Sequence, residues 1–428
     1  MMRQWAVLAE YRDFRRLFAA NSVSLMGSSV TTVALPLTAV VYLHASPAQM
    51  GVLGAVGFLP HLVLGLPAGV WVSRWPYRRL LVSADLAQML LLGAVPVLAV
   101  LQLLRIWELY LVVVLAGVCA LFDAVAAQSF TPMLVPRPRL LAANSALALS
   151  NSTVSATGAA LGGVLVAALT APVAIAVDAA SFLFSAVCKA RIDAGGTSPT
   201  GTDRPRQGLP RQILDGLRVV FGHPVVRAVT ISATLGALAG QMQAVVVVLF
   251  LVRTLHLSSA LVGVVIAVAG AAAVLGAVLG VPVTERIGNG PAFIAGMLLA
   301  GVAGLVMATA TGPFTVVLVV LIAAQALRGC GPSLYGLNQQ TIRQVLIPTE
   351  LMSRAQATWR FLVYGTQPIG ALLGGLVAST AGLRATLVLS SIGMLAATAA
   401  AALTPQLRKL KTLPEKPASG PAARSEAA

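Results

Sequence analysis

The fold is decided by the stretch GAALGG at residues 158–163, which the chain repeats 212 positions later as GALLGG at residues 370–375. Each copy lies in a long apolar run. Residues four apart share one face of a helix, so the glycines of each copy form a groove that a neighbouring helix backbone can approach closely. We therefore expect packing or gating roles for Gly158, Gly162 and Gly163, and for Gly370, Gly374 and Gly375.

The same offset of 212 relates positions elsewhere in the chain. The repeated residues are Arg15 and Arg227, His44 and His256, Ser46 and Ser258, Gly51 and Gly263, and Pro136 and Pro348. Two copies of one membrane unit, related by an axis along the membrane normal, are typical of secondary transporters with a substrate site between the halves. The repeat therefore predicts two pseudo-symmetric halves.

The composition excludes a soluble globular protein. The chain is 58% hydrophobic and 10% charged, with a mean hydropathy of +0.88, whereas soluble domains carry roughly 25% charged residues. Apolar stretches of about 20 residues are typical of membrane-spanning helices, and the shorter alternating segments of an outer-membrane barrel do not occur. We predict an all-α polytopic protein whose twelve spans form two six-helix bundles. The spans cover residues 18–43, 49–72, 80–103, 108–132, 140–168, 172–190, 226–252, 260–283, 291–310, 314–338, 355–380 and 383–404.

Composition also divides the chain into four parts. The predicted bundles cover residues 1–190 and 226–404. Between them, residues 191–225 form a cytoplasmic linker that is rich in Gly, Pro and Thr and ends in an amphipathic helix over residues 209–221. Residues 405–428 are mostly Lys, Pro, Ala and Ser, which predicts a disordered cytoplasmic tail.

Basic residues predict the orientation, because Lys and Arg collect on the cytoplasmic side of membrane proteins. With both termini in the cytoplasm, the outward loops contain only Arg105, Arg253 and Arg384 of the 29 Lys and Arg residues. The net charge of +16 then reflects topology and contact with lipid headgroups. We expect no nucleic-acid partner.

The segment between helices 2 and 3 carries a family resemblance. It contains Gly69, Arg74, Arg78 and Arg79, with Ser73 and Tyr77 between them. Asp85 follows near the start of helix 3, where we expect it to serve this basic loop. This pattern resembles the major facilitator superfamily, in which the corresponding loop steadies one gating conformation. The family usually has an aspartate where Ser73 stands and a basic residue where Tyr77 stands.

The stretch from about Gln128 to Ala186 resembles the bacterial exporters of enterobactin and macrolides. The glycine stretch resembles the helix-5 signature of facilitator antiporters, with Ala159 where that signature has proline. The resemblance implies a monomeric transporter of the bacterial cytoplasmic (inner) membrane that works by alternating access. It further implies proton-coupled efflux of an amphipathic small molecule, such as a drug, siderophore or secondary metabolite.

Charged residues inside predicted spans are the candidate site residues, since each costs roughly 2.5–3.5 kcal/mol to insert. Asp123 either exchanges a proton during transport or makes a helix contact, and Asp178 is the weaker candidate of the two acids. The resemblance implies that helices 1, 4, 7 and 10 line the cavity, so Arg328 faces substrate, with Gln325 three residues earlier on the same face. The full set of substrate or proton pathway candidates is Asp123, Arg328, Gln325, Gln241, Ser28 and Thr32.

Other functions remain open. The same fold could serve an importer or symporter, and the uncharged Ser73 and Tyr77 also fit a scaffold or sensor that no longer transports. No phosphate-binding Walker pattern occurs in the sequence, and the histidines and cysteines lack metal-ligand spacing. We expect no enzymatic activity, catalytic residue, cofactor or metal site.

Overall fold

The structure, a computed structural model, describes residues 7–72, 74–136, 139–193, 217–347 and 351–411. Its long helices are α1 (Arg12–Leu37), α2 (Pro47–Val72), α3 (Tyr77–Val100), α4 (Ile106–Leu134), α5 (Leu140–Leu169) and α6 (Ala171–Ala190), followed by α7 (Pro224–Leu249), α8 (Ser259–Ile287), α9 (Asn289–Ala308), α10 (Phe314–Leu346), α11 (Met352–Thr380) and α12 (Leu383–Ala402). A short helix, α13, covers Pro405–Arg408.

Eleven of the described helices are long and apolar enough to cross a membrane, and the 30-residue α5 is the remaining long helix. An all-α membrane protein with about twelve spans is therefore confirmed. The amphipathic segment predicted over 209–221 is helical at 217–222. The rest of that segment, most of the predicted linker and residues 412–428 of the predicted tail lie outside the described residues.

The helix positions repeat with the offset seen in the sequence. The first residues of α1, α2, α3, α5 and α6 lie 212 positions before those of α7, α8, α9, α11 and α12. Both α1 and α7 continue into a π-helical turn, at Thr38–Tyr42 and Phe250–Thr254. After these turns, His44 and His256 each have a φ of 52°. The repeat therefore extends from residue identity to backbone conformation.

Helix packing repeats as well. In the first half α1 packs against α5 and α6, α3 packs against α4 and α6, and α2 packs against α4. The second half has the same arrangement, with α7 against α11 and α12, α9 against α10 and α12, and α8 against α10. Two equivalent contacts join the halves, α2 with α11 and α5 with α8. We call the side where α1 begins and α12 ends the terminal side, and the opposite side the far side.

The glycines of the repeated stretch have two distinct packing roles. Gly162 lies against α1, where an added Cβ would come within 3.1 Å of the Val30 Cα, and Gly374 lies against α7, 2.6 Å from the Met242 carbonyl oxygen by the same measure. These contacts are within one half. Any side chain at these positions would therefore push a helix of the same bundle aside.

The last glycine of each copy packs across the two halves. A Cβ on Gly163 would lie 2.6 Å from the carbonyl oxygen of Gly263, and a Cβ on Gly375 would lie 2.9 Å from the Cα of Gly51. All four glycines lie within about 9 Å of the far-side ends of their helices, at about 1.5 Å rise per residue. The halves are thus in backbone contact near the far side.

Candidate functional site

Three charged side chains meet between α3, α4 and α6 and form the Lys189 triad (Asp85, Asp123 and Lys189). The Nζ of Lys189 lies 3.0 Å from the Asp85 carboxylate and 2.6 Å from that of Asp123. The side chains of Lys189 and Asp85 are each 1% exposed, and that of Asp123 is 22% exposed. Asp123 and Asp85 therefore share one cation, which comes from a neighbouring helix.

The triad contains two findings that the sequence analysis missed. Lys189 is not among the predicted site residues, although its position in the last turn of the apolar helix α6 is a signal that it could turn inwards. Asp85 was expected to serve the adjacent basic loop, and that expectation is wrong, because its ion-pair partner is Lys189. Burial of both charges makes the pair dependent on its own partners rather than on water.

Arginines from two other helices hold the terminal-side end of α6. Arg16 of α1 donates to the carbonyl oxygen of Arg191 and to Asp193 at 3.1 Å, and Arg78 of α3 donates to the carbonyl oxygen of Ala190. These contacts use carbonyl groups that a helix end leaves without an intrahelical partner. They fix α6 next to the triad.

The other arginines of the predicted loop make no comparable contact with the described residues. Arg74 and Arg79 are exposed. Gly69 lies within α2, but its surroundings, like Ser73 itself, lie outside the described residues.

Asp178 of α6 is buried among hydroxyl groups. It is 1% exposed and accepts hydrogen bonds from Thr31 at 2.5 Å, from Ser181 at 3.1 Å and, at a longer 3.5 Å, from Ser28. No ion pair to Asp178 occurs among the described residues. Thr32 has an exposed side chain whose hydroxyl donates to the Ser28 carbonyl oxygen at 2.9 Å. Of the hydroxyl residues predicted on α1, Ser28 therefore belongs to the Asp178 cluster.

The second half contains a polar pocket of about 520 Å³. It lies between α7, α10 and α11, with single contributions from α9 and α12, and none of its described lining residues is acidic. Its lining includes Gln241, Arg328, Tyr335, Gln340, Trp359 and Gln367. The predicted site residues Arg328 and Gln241 thus come together in one pocket.

The cationic groups of this pocket differ in their partners. Arg343 donates to Gln356 at 3.0 Å, and its guanidinium lies 3.9 Å from the ring centre of Trp359. Arg328 is half-buried and has no hydrogen bond or ion pair with any described residue. The indole N–H of Trp359 is buried, also without an acceptor in the described part of the chain. The pocket therefore presents hydrogen-bond donors that the protein leaves unused.

Gln325 lies outside this pocket. It is fully buried, and its side-chain amide donates to the carbonyl oxygen of Val265 on α8 at 3.1 Å. Asn338, further along α10, likewise contacts Thr284 at 2.9 Å and Asn289 at 3.1 Å. One face of α10 thus holds α8 and α9, while Arg328 lines the pocket on another face.

A larger cavity of about 890 Å³ lies between α1, α5 and α6. Apolar side chains such as Phe18, Leu161 and Phe184 dominate its lining, and none of its described lining residues is charged. Leu161 and Phe184 are exposed, so the cavity is a groove on the surface that faces lipid. It has few groups that could orient a polar ligand.

Known proteins resemble this chain over nearly its whole length or over part of it. A family model described as "Transmembrane secretion effector" matches residues 3–424. The chain is 28% identical over 402 residues to the multidrug efflux pump Tap of Mycolicibacterium fortuitum, covering 92% of this chain and 96% of that protein. It is 28% identical over 130 residues to macrolide efflux protein A of Streptococcus pyogenes, covering 30% of this chain and 31% of that protein.

Solved structures agree in fold. A bacterial homologue of the iron transporter ferroportin in an inward-facing state superposes with a TM-score of 0.74 at 16% identity, covering 93% of this chain and 99% of that one. The nucleoside transporter NupG, as its D323A mutant, gives a TM-score of 0.72 at 12% identity, covering 91% and 98%. The family model covers nearly the whole chain, so the chain belongs to the major facilitator superfamily, in its family of transmembrane secretion effectors. It is a multi-pass membrane transporter of a bacterial efflux family.

Proposed function

We propose that this transporter exports an amphipathic small molecule across the bacterial cytoplasmic membrane, driven by protons. The names of the efflux relatives support export, and the distribution of basic residues supports cytoplasmic termini. The units that move are the bundles of residues 1–190 and 226–404, joined by 191–225 and followed by the tail 405–428.

The observation that carries the proposal is the polar pocket of the second half. Its volume of about 520 Å³ is within the range of about 300–1,000 Å³ that is typical of small-molecule sites. Arg328 lies 14 residues into α10, or about 21 Å from its far-side end, which corresponds to the interior of the bilayer. A substrate bound here would be accessible from the terminal side while the glycine contacts keep the far side closed.

The proton site is proposed to be Asp178, with Asp123 as the alternative. Asp123 shares the buried Lys189 with Asp85, so protonation of Asp123 would remove one of the two ion pairs of this lysine. Among the described residues, the side chain of Asp178 has only hydroxyl partners. Hydroxyl groups can either donate or accept, so the same three partners can stabilise the ionised and the protonated carboxyl group.

Alternating access connects the two sites. Asp178 packs against α1, and α1 packs against α5, which contacts the second half through Gly163 and Gly263. A change in the protonation of Asp178 therefore has a short path through packed helices to the contact between the halves. This supports a mechanism in which the contact that closes the far side responds to two events. One is proton binding in the first half, and the other is substrate binding in the second half.

The test is transport in proteoliposomes with an imposed pH gradient. Fluorescent drug uptake into inside-out vesicles should require the gradient and stop with a protonophore. We expect Asp178→Asn to abolish uphill transport but to retain exchange of labelled for unlabelled drug, while Glu285→Gln, at an exposed position at the end of α8, changes neither. Uphill transport by Asp178→Asn, combined with its loss in Asp123→Asn, would transfer the proton site to Asp123. Transport in the opposite direction under the same gradient would contradict export.

A further inference from the structure

The second half is almost free of acidic residues. From α7 to α12 the sequence has two: Glu285, in the last turn of α8 on the terminal side, and Glu350, which lies outside the described residues. The pocket nevertheless contains Arg328 and Arg343. The positive charge of the pocket is therefore not balanced by any of its described lining residues.

The unbalanced charge is accompanied by unused donors. Arg343 is held by Gln356 and by the ring of Trp359, so its position is fixed by the protein. Arg328 and the Trp359 indole N–H have no acceptor among the described residues. A charged group removed from water without a partner is costly, and an acceptor supplied from outside the protein would offset that cost.

We infer that the ligand of this pocket carries a negatively charged group, such as a carboxylate, phenolate, sulfonate or phosphate, on an aromatic body. Arg328 binds the anion through paired N–H groups, a geometry in which guanidinium is stronger than ammonium. Tyr335 and Tyr364 line the same pocket and offer aromatic faces to the body of the ligand. This inference rests on the proposed transport function, since it names the substrate class of the same pocket.

The test compares two dyes with one ring scaffold and opposite charge. Fluorescein is a dianion at mildly alkaline pH, and rhodamine 123 is a cation of similar size. Their binding is measured by fluorescence polarisation to purified full-length protein in nanodiscs of phosphatidylcholine. The variants are Arg328→Gln, Arg328→Lys and, as a matched control, Arg286→Gln, because Arg286 is an exposed arginine outside the pocket. Thermal unfolding of each variant checks that it is folded.

We expect the wild-type protein to bind fluorescein at least about tenfold more tightly than rhodamine 123. This ratio corresponds to the contribution of one hydrogen bond to a charged group. Arg328→Gln should remove this preference, Arg328→Lys should keep part of it, and Arg286→Gln should leave it unchanged. If phosphatidylglycerol in the nanodisc displaces fluorescein only when Arg328 is present, a lipid headgroup is one source of the anion, and the ligand class stands.

Two results would overturn the inference. One is equal or tighter binding of rhodamine 123 by the wild-type protein; the other is a fluorescein affinity that Arg328→Gln leaves unchanged. Neither contradicts export, which is measured separately by gradient-driven uptake of each dye. Conversely, Arg328-dependent binding of fluorescein without gradient-driven uptake of either dye would support the anion site and contradict the transport function.

Discussion

Replacing Gly163 with alanine tests how the two halves close the far side. The new Cβ would lie 2.6 Å from the carbonyl oxygen of Gly263, against about 3.4 Å for an ordinary contact, so α5 and α8 must separate by about 0.8 Å. Overpacking of this kind costs about 1–3 kcal/mol. If the contact exists in only one of two conformations, the same energy changes their ratio by about five- to 150-fold. We therefore expect Gly163→Ala to favour a conformation that is open on the far side.

A matched substitution removes the effect of the alanine itself. Gly→Ala within a helix stabilises the helix by about 1 kcal/mol. Gly65→Ala on α2 should show this stabilisation alone, because no atom lies within 4 Å of its added Cβ and no helix is pushed aside. Gly375→Ala at the equivalent contact meets its nearest atom at 2.8 Å and should have a smaller effect than Gly163→Ala.

Distances between spin labels measure the result. Ala168 on α5 and Ala260 on α8 are exposed positions near the far side, and labels there require a background in which Cys119, Cys188 and Cys330 are serine. A longer distance population should grow in the order Gly65→Ala, Gly375→Ala, Gly163→Ala. Identical distance distributions in the three variants would refute the role of the glycine contacts in far-side closure.

Two further predictions concern polar contacts. Arg253→Gln removes a 2.7 Å hydrogen bond from α7's π-helical turn to the Ala45 carbonyl oxygen of the first half; we expect a cost of about 1 kcal/mol to far-side closure, visible with the same spin labels, and an unchanged distribution would contradict it. Asn338→Leu removes the buried hydrogen bonds that join α10 to Thr284 and Asn289. It should lower the free energy of unfolding, measured by denaturant titration in detergent, by about 1–3 kcal/mol. An unchanged free energy of unfolding would mean that these hydrogen bonds do not stabilise the fold.

Hydropathy predicts helix interiors better than helix ends. The span predicted over 140–168 matches Leu140–Leu169, because both the apolar run and the helix stop there. The span predicted from residue 18 begins at Arg12 instead, since α1 extends beyond the bilayer through charged residues such as Arg16, which binds Asp193. Likewise α10 continues to Leu346 rather than ending at residue 338. Lipid contact selects apolar residues, whereas backbone hydrogen bonding lets the helix continue into water.

Partner choice between helices was beyond the sequence. The cost of burying charge singled out Asp123, Asp178 and Arg328, but their partners depend on the rotation of each helix about its axis, which periodicity leaves undetermined in helices that are apolar on all sides. Gln325 shows the difficulty. It lies only three residues before Arg328, yet its side chain contacts Val265 of α8, whereas Arg328 lines the pocket. The repeat was more informative, since glycine at a close backbone approach tolerates no substitute.

The repeat also shows that the fold does not require the Lys189 triad. The same offset of 212 leads from the triad to Met297, Tyr335 and Ala401. These residues belong to the apolar core of the second half, where Met297 and Ala401 are buried and Tyr335 packs against them. One architecture therefore exists here with an ionic cluster in one half and an apolar cluster in the other.

This comparison makes the role of the triad testable. Lys189→Met leaves two acids without their cation and should cost about 3–5 kcal/mol of stability, whereas a full exchange to the residues of the second half should be neutral or stabilise by about 1–4 kcal/mol. Stability is measured by denaturant titration, and transport in the proteoliposome assay. An exchange variant as unstable as Lys189→Met would mean that the two halves are not equivalent in packing. A stable exchange variant that no longer transports would assign the triad to the mechanism, because the fold would then be shown not to need these three charges for stability.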